Sequence, residues 1–254
     1  MSTFVMAVVW KNTINGDLYE VRNAGKTLRL YTNGVFHTQY NPEQPLTGHV
    51  WDLLMLPAFF YPQHKIKRVL VLGVGGGAVI QMLRHFVKPD VIVGVELNPV
   101  HLTIARHFFN LKGEGLYLYQ DDAVNWIKNY KGEKFDLIIE DLFTEKYGEP
   151  ASVVDANGVW FNQLLKNLSK EGAIVRNFID LQELKTCAAL KTKTMNKRFD
   201  SIFQLTTKFN ENFVGVFVRA KVTGQQLRKR LMETPGLNPG LKTSRLRYQL
   251  RSLK

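Results

Sequence analysis

The chain has 254 residues, 45% of them hydrophobic and 22% charged, an ordinary globular composition with enough apolar mass for one sizeable core. No apolar run approaches the ~18 residues needed to span a bilayer, and Met1 to Trp10 lacks a basic start and a small-residue cleavage site. A cytoplasmic protein with no membrane contact is therefore expected. The single cysteine, Cys187, lies in an expected helix and excludes an internal disulfide and a cysteine-rich metal site. The net charge is +12, but Lys221 to Lys254 hold nine Lys or Arg against Glu233, leaving +4 for the other 220 residues. Leu227, Leu231, Leu246, Leu250 and Leu253 suit amphipathic helices with solvated basic faces. Such a tail could also contact phosphates or an acidic partner, but nucleic acid is the less expected partner, because Tyr248 is the tail's one aromatic residue and base stacking has little to work with.

In chain order, Val5 to Trp10, Leu18 to Asn23, Leu28 to Thr32 and Val35 to Gln39 alternate as strands, and Asn33-Gly34 marks a two-residue hairpin turn. A helical stretch from about Gly48 to Phe60 follows. From Arg68 the pattern changes to short continuous apolar runs, as in a parallel sheet covered on both faces. The runs are Val69 to Leu72, Val91 to Val95, Leu116 to Tyr119, Leu137 to Ile139 and Ala173 to Val175. Helices are expected near Ala78 to Phe86, Pro99 to Phe109, Ala123 to Asn129 and Gly158 to Leu168, the second opened by Asn98 as cap and Pro99 at its first position. Ser201 to Phe209 and Phe213 to Ala220 read as a closing antiparallel pair joined at Asn210-Glu211-Asn212. The expected architecture is α/β: a doubly wound, mostly parallel, seven-stranded sheet with a small N-terminal antiparallel domain. The expected divisions are 1–45, 46–220 and a basic helical tail over 221–254.

The chemistry is concentrated at strand ends. The first parallel strand runs into Gly73-Val74-Gly75-Gly76-Gly77-Ala78 and then a helix, so a ligand can approach bare backbone. That spacing alone suits a nicotinamide dinucleotide as well as an adenosyl cofactor. The second strand ends in Glu96, nineteen residues after Gly77, where a carboxylate can accept from both ribose hydroxyls. The third and fourth strands also end in acids, Asp121-Asp122 and Glu140-Asp141. An acid after the third strand can accept from the adenine amine, with Ala123 letting the ring lie close, and one after the fourth sits beside the transferred group. Three acid-bearing strand ends on one rim favour an adenosyl-sulfonium cofactor, with nicotinamide-dependent oxidation the alternative.

The segments Leu28 to His37 (LRLYTNGVFH), Val69 to Ala78 (VLVLGVGGGA), Val95 to Asn98 (VELN), Asp121 to Ile127 (DDAVNWI) and Phe135 to Asp141 (FDLIIED) resemble, in order and spacing, the spermidine synthase (polyamine aminopropyltransferase) superfamily, which has a methyltransferase-type fold. The resemblance implies that Glu96 holds the ribose, with Leu97 beside it, that Asp122 and Ala123 hold the adenine, and that Asp141 acts as base toward an acceptor amine. Relatives commonly pair through the N-terminal hairpin, so a homodimer is implied. Three departures are informative. Aminopropyltransferases usually carry Asp where this chain has Gly76, a second Asp where it has Thr144, and a glutamine where Val50 or a neighbour stands. An Asp at position 76 attracts the ammonium of decarboxylated S-adenosylmethionine and repels the carboxylate of the parent compound. Its loss favours S-adenosylmethionine itself, and hence methyl transfer to an amine-type small molecule, as in the superfamily's glycine-rich, non-polyamine branch. Aminopropyl transfer and a catalytically silent nucleoside-binding module are the further readings.

His37 and His49 fall in segments that contact cofactor or substrate in the superfamily, and Tyr147 follows Asp141 in the loop over the site. None of the six histidines is spaced from another as two ligands on one helix face. No metal is expected. Ser152 lacks a hydrolase nucleophile elbow.

Overall fold

The computed structural model describes residues 6–146, 149–208 and 212–254. Four strands, β1 (Ala7–Ile14), β2 (Asp17–Ala24), β3 (Thr27–Thr32) and β4 (Val35–Tyr40), form an N-terminal antiparallel sheet in sequence order. Two of its three hairpin turns have two successive residues at positive φ, which matches the strand twist: Asn33-Gly34 at 51° and 83°, and Asn15-Gly16 at 52° and 91°. The second turn was not expected, and it carries β1 four residues past Trp10. Tyr19, Val21 and Leu30 on the inner face close a small core with Ile104 and Phe109.

After α1 (Val50–Met55) and a 3₁₀ turn (Leu56–Phe60), the main sheet is built from β5 (Arg68–Leu72), β6 (Val91–Glu96), β7 (Leu116–Gln120), β8 (Phe135–Glu140) and β11 (Leu168–Phe178), all parallel. The helices between them are α2 (Ala78–Met82), α3 (Pro99–Phe108), α4 (Ala123–Asn129) and α5 (Gly158–Asn167). Asn98 caps α3 by accepting from Val100 N and His101 N. α2 is shorter than expected because it widens into a π turn over Leu83–Val87, ended by Lys88 at positive φ. β9 (Phe143–Lys146) and β10 (Glu149–Ser152) form a separate antiparallel pair after β8.

Short helices α6 (Leu181–Thr186), α7 (Ala188–Lys191) and α8 (Lys193–Asn196) lead to β12 (Ser201–Thr206) and β13 (Phe213–Val218), which pair antiparallel as expected. Cys187 is the buried residue between α6 and α7 rather than a helix-interior one. Residues 209–211 of the joining turn lie outside the described residues. The tail departs from the expectation of helices alone. Only α9 (Gly224–Glu233) is helical, with a Thr223–Gln226 capping box, and β14 (Gln249–Ser252) pairs with β12. The sheet thus has eight strands, ordered β14-β12-β13-β11-β8-β5-β6-β7. The leucine spacing misled because Leu250 and Leu253, three apart, lie on opposite faces of extended chain; they pack on the two separate cores that sandwich the sheet.

Candidate active site

The strand order reverses at β5, which lies between β6 and β8, so the carboxyl ends of these strands flank the crevice where open α/β sheets bind ligands. The glycine turn adopts positive φ at Gly73 (84°), Gly75 (53°) and Gly77 (88°). A Cβ on Gly73 would run into the backbone carbonyl of Asp141, and one on Gly77 into Leu111. Gly76 has a different constraint: the space beside it is filled by the methyl of Thr38 on β4. The N-terminal sheet therefore closes directly over the glycine turn.

Glu96 is buried and holds that turn in place. Its Oε2 accepts from Val74 N (2.9 Å) and Gly75 N (2.8 Å), and its Oε1 from Asn98 N (2.9 Å). Three of a carboxylate's roughly four acceptor positions are thus used by backbone, which leaves less for ribose than the bidentate role expected from sequence. His101 Nδ1 stands 3.8 Å from Oε1, and His101 Nε2 is 2.8 Å from the Thr32 hydroxyl. The His37 ring lies 4.7 Å from that of His101. Burial lowers both histidines to about 4; a charge on His101 would lower His37 further while Glu96 opposes the shift, and Asp17 opposes the shift of His101. Both imidazoles are neutral at pH 7.

Asp141 follows β8 on the same rim, near enough to Glu96 to feel its charge. Burial raises its carboxyl to about 6 and the Glu96 charge adds to the rise, while hydrogen bonds from Asn177 and the Trp51 side chain oppose it. Asn177 Nδ2 donates to Asp141 Oδ1 at 2.8 Å, and Asn177 Oδ1 is buried with no partner among the described residues. On the other face of the same strand ends, Arg176 Nη1 pairs with Glu140 Oε2 at 2.6 Å, and the Trp160 indole donates to that oxygen at 3.2 Å. Burial pushes Glu140 up to about 7 against the pull of Arg176.

The remaining expected residues divide. Asp122 lies two residues past β7 on this rim and uses Oδ1 to cap α4 through Asn125 N; Ala123 beside it is buried and Leu97 is 68% exposed, a large apolar side chain at the rim. His49 packs against Phe36 and Trp51, within the aromatic cluster whose indole reaches Asp141. Thr144 is an exposed residue of β9, paired with Ala151. Tyr147 lies outside the described residues. Among the described residues there is no cluster of three or more metal-ligating side chains, and no helix is long and apolar enough to cross a membrane. Sequence reasoning missed Trp51, His101, Thr38 and Asn177. Only Asn177 carried a signal, as a polar residue ending an apolar parallel strand on the acid-bearing rim.

No family model matches the chain. The chain is 29% identical over 116 residues to the polyamine aminopropyltransferase of Chromobacterium violaceum, covering 44% of this chain and 42% of that one. It is 28% identical over 86 residues to an eEF1A lysine and N-terminal methyltransferase homolog of Drosophila melanogaster, covering 32% and 13%. The match spans about half the length, or less, of such curated relatives. Among solved structures, a probable spermidine synthase from Corynebacterium glutamicum superposes with TM-score 0.73 at 15% identity, over 98% of this chain and 91% of that one. A spermidine synthase in complex with the transition state analogue AdoDATO superposes with TM-score 0.68 at 13% identity, over 90% and 79%. The chain has the spermidine synthase-like methyltransferase fold. Human methyltransferase-like protein 13, in complex with SAH, shares that fold at TM-score 0.61 and 16% identity, over 73% of this chain and 89% of that one.

Proposed function

We propose that this spermidine synthase-like chain is an S-adenosylmethionine-dependent transferase that moves a methyl group to an amine-type small molecule. The observation carrying the reading is the part-buried Asp141–Asn177 pair beside the glycine turn. The residues fit an adenosyl group by their own chemistry. The turn exposes bare backbone, Glu96 retains one acceptor position for a ribose hydroxyl, Asp122 keeps a free oxygen toward the adenine amine, and Leu97 offers an apolar surface to its ring.

When bound, the cofactor supplies a sulfonium-activated carbon. That carbon would accept the lone pair of the acceptor amine, with the neutral thioether as the leaving group. Asp141, ionised above about pH 6, takes the proton from nitrogen, and Asn177 Oδ1 accepts the amine's second N–H. Both groups act by holding the lone pair on line in a dry site. Gly76 supports the parent cofactor over the decarboxylated one, because no carboxylate stands there to attract an ammonium or repel the methionine carboxylate. The competing reading, aminopropyl transfer, is supported by the match to the polyamine aminopropyltransferases.

Calorimetry with S-adenosylmethionine, its decarboxylated form and methylthioadenosine separates the two. The methyl reading expects the decarboxylated form to have no advantage; a preference for it of about tenfold, ~1.4 kcal/mol, overturns that reading. Absence of binding by all three overturns the transferase assignment altogether.

A further inference from the structure

A second charged segment becomes important only in the folded chain. Between Leu184 and Phe199 stand Lys185, Lys191, Lys193, Lys197 and Arg198 with no acid, which together with the tail's net +8 leaves the rest of the chain at −1. The fold joins the two segments at the β14 edge. The Lys254 ammonium donates to the carbonyls of Asn196 (2.9 Å) and Phe199 (2.5 Å), which secures the end of β14 to the segment after α8. Arg251 lies opposite Gln204 on this outermost strand, and Leu250 packs against Gly224 at the start of α9, where Arg228 hydrogen-bonds Tyr248. α7 and α8 contribute to the core on one face of the sheet and α9 to the core on the other, so the basic residues wrap around the edge between them.

These side chains are free to meet a ligand. Lys191, Lys193, Lys197, Arg228 and Arg251 are exposed. Among the described residues the one ion pair within either segment is Lys229–Glu233 at 4.0 Å. The chemistry of the surface also selects the partner. Membrane surfaces and protein interfaces are anchored by exposed aromatic or large apolar side chains, and the large apolar residues exposed in these segments are Met232 and Leu241, neither of them in α7, α8 or β14. A phosphate backbone needs only Lys and Arg at intervals, since released counterions supply the binding free energy.

We propose that this edge docks nucleic acid through its phosphate backbone, without reading base sequence. The surface lies outside the adenosyl site, so the inference stands whether or not the transferase reading does. The test is fluorescence anisotropy of the full chain with a labelled single-stranded RNA and a DNA duplex, each of about 20 residues per strand, across a salt series. Micromolar binding at about 0.1 M salt is expected, with log K falling by about 0.9 per phosphate neutralised. Lys193→Glu/Lys197→Glu in one segment, and Arg228→Glu/Arg251→Glu in the other, should each weaken binding about tenfold or more and flatten the salt slope, while Lys131→Glu/Lys134→Glu before β8 should leave both unchanged. Circular-dichroism melts matching the parent chain establish that the variants fold. No binding at low salt, equal weakening by the Lys131/Lys134 variant, dependence on only one segment, or binding to phosphatidylserine vesicles in place of nucleic acid would each overturn the proposal.

Discussion

Asp141 keeps its proton to a higher pH than an exposed aspartate because burial and the neighbouring Glu96 charge both penalise its ionised form, with Asn177 and Trp51 only partly compensating. The sign for catalysis follows directly. In the proposed reaction the proton acceptor is the ionised form, so kcat/KM should be full above about pH 6 and fall tenfold per unit below it. Asn177→Ala removes a hydrogen bond to the charged form and should move that limb upward by about one unit; a limb that stays put, measured over a pH series, excludes Asn177 as the group that poises Asp141. Asp141→Asn should spare cofactor binding and lower kcat by roughly 10²- to 10⁴-fold, and unaltered turnover would remove Asp141 from catalysis. Glu96→Ala should abolish nucleoside binding in a titration, and it should also reduce stability, since two turn amides and the Asn98 amide lose their acceptor.

At the scale of elements, the glycine turn is held by contact on several sides. Gly73 abuts the Asp141 backbone at a φ of 84°, so Gly73→Ala adds left-handed strain to a clash with an atom that cannot rotate away. A loss of about 2 kcal/mol or more is expected in chemical denaturation. Gly76 is different, because its neighbour is a side chain: Gly76→Ala should be destabilising in the parent and largely rescued by Thr38→Gly, which vacates the space. Strand ends β8 and β11 are tied by Arg176 and Glu140, both 1% exposed. Arg176→Ala leaves Glu140 buried and unpaired, and a loss of about 3–5 kcal/mol is expected.

Over the whole molecule, the tail completes the sheet rather than hanging from it. Leu227 and Leu231 are fully buried, and Arg230 Nη1 donates to the Phe60 carbonyl at 2.6 Å, which seats α9 on the 3₁₀ turn after α1. Leu231→Ala should therefore cost about 2–4 kcal/mol and lower the melting temperature; a near-neutral result would mean that α9 is dispensable to the core. The N-terminal sheet is likewise part of the candidate site's architecture, because Thr38 and His37 on β4 lie against the glycine turn.

The sequence by itself determined the parallel strands, the glycine turn and the acids that end β6, β7 and β8, since apolar runs of strand length followed by Gly, Glu or Asp have few other uses in a folded chain. The Asn33-Gly34 turn and the Asn98 cap were equally legible, because their chemistry is local. Tertiary structure alone decided which groups meet. Asn177 reaches Asp141 across 36 positions, and His101 reaches Thr32 across 69. It also turned the last basic residues into an edge strand, because Leu250 and Leu253 find two different cores there. Periodicity reports which side of an element is apolar, but pairing and burial depend on what the fold places opposite it.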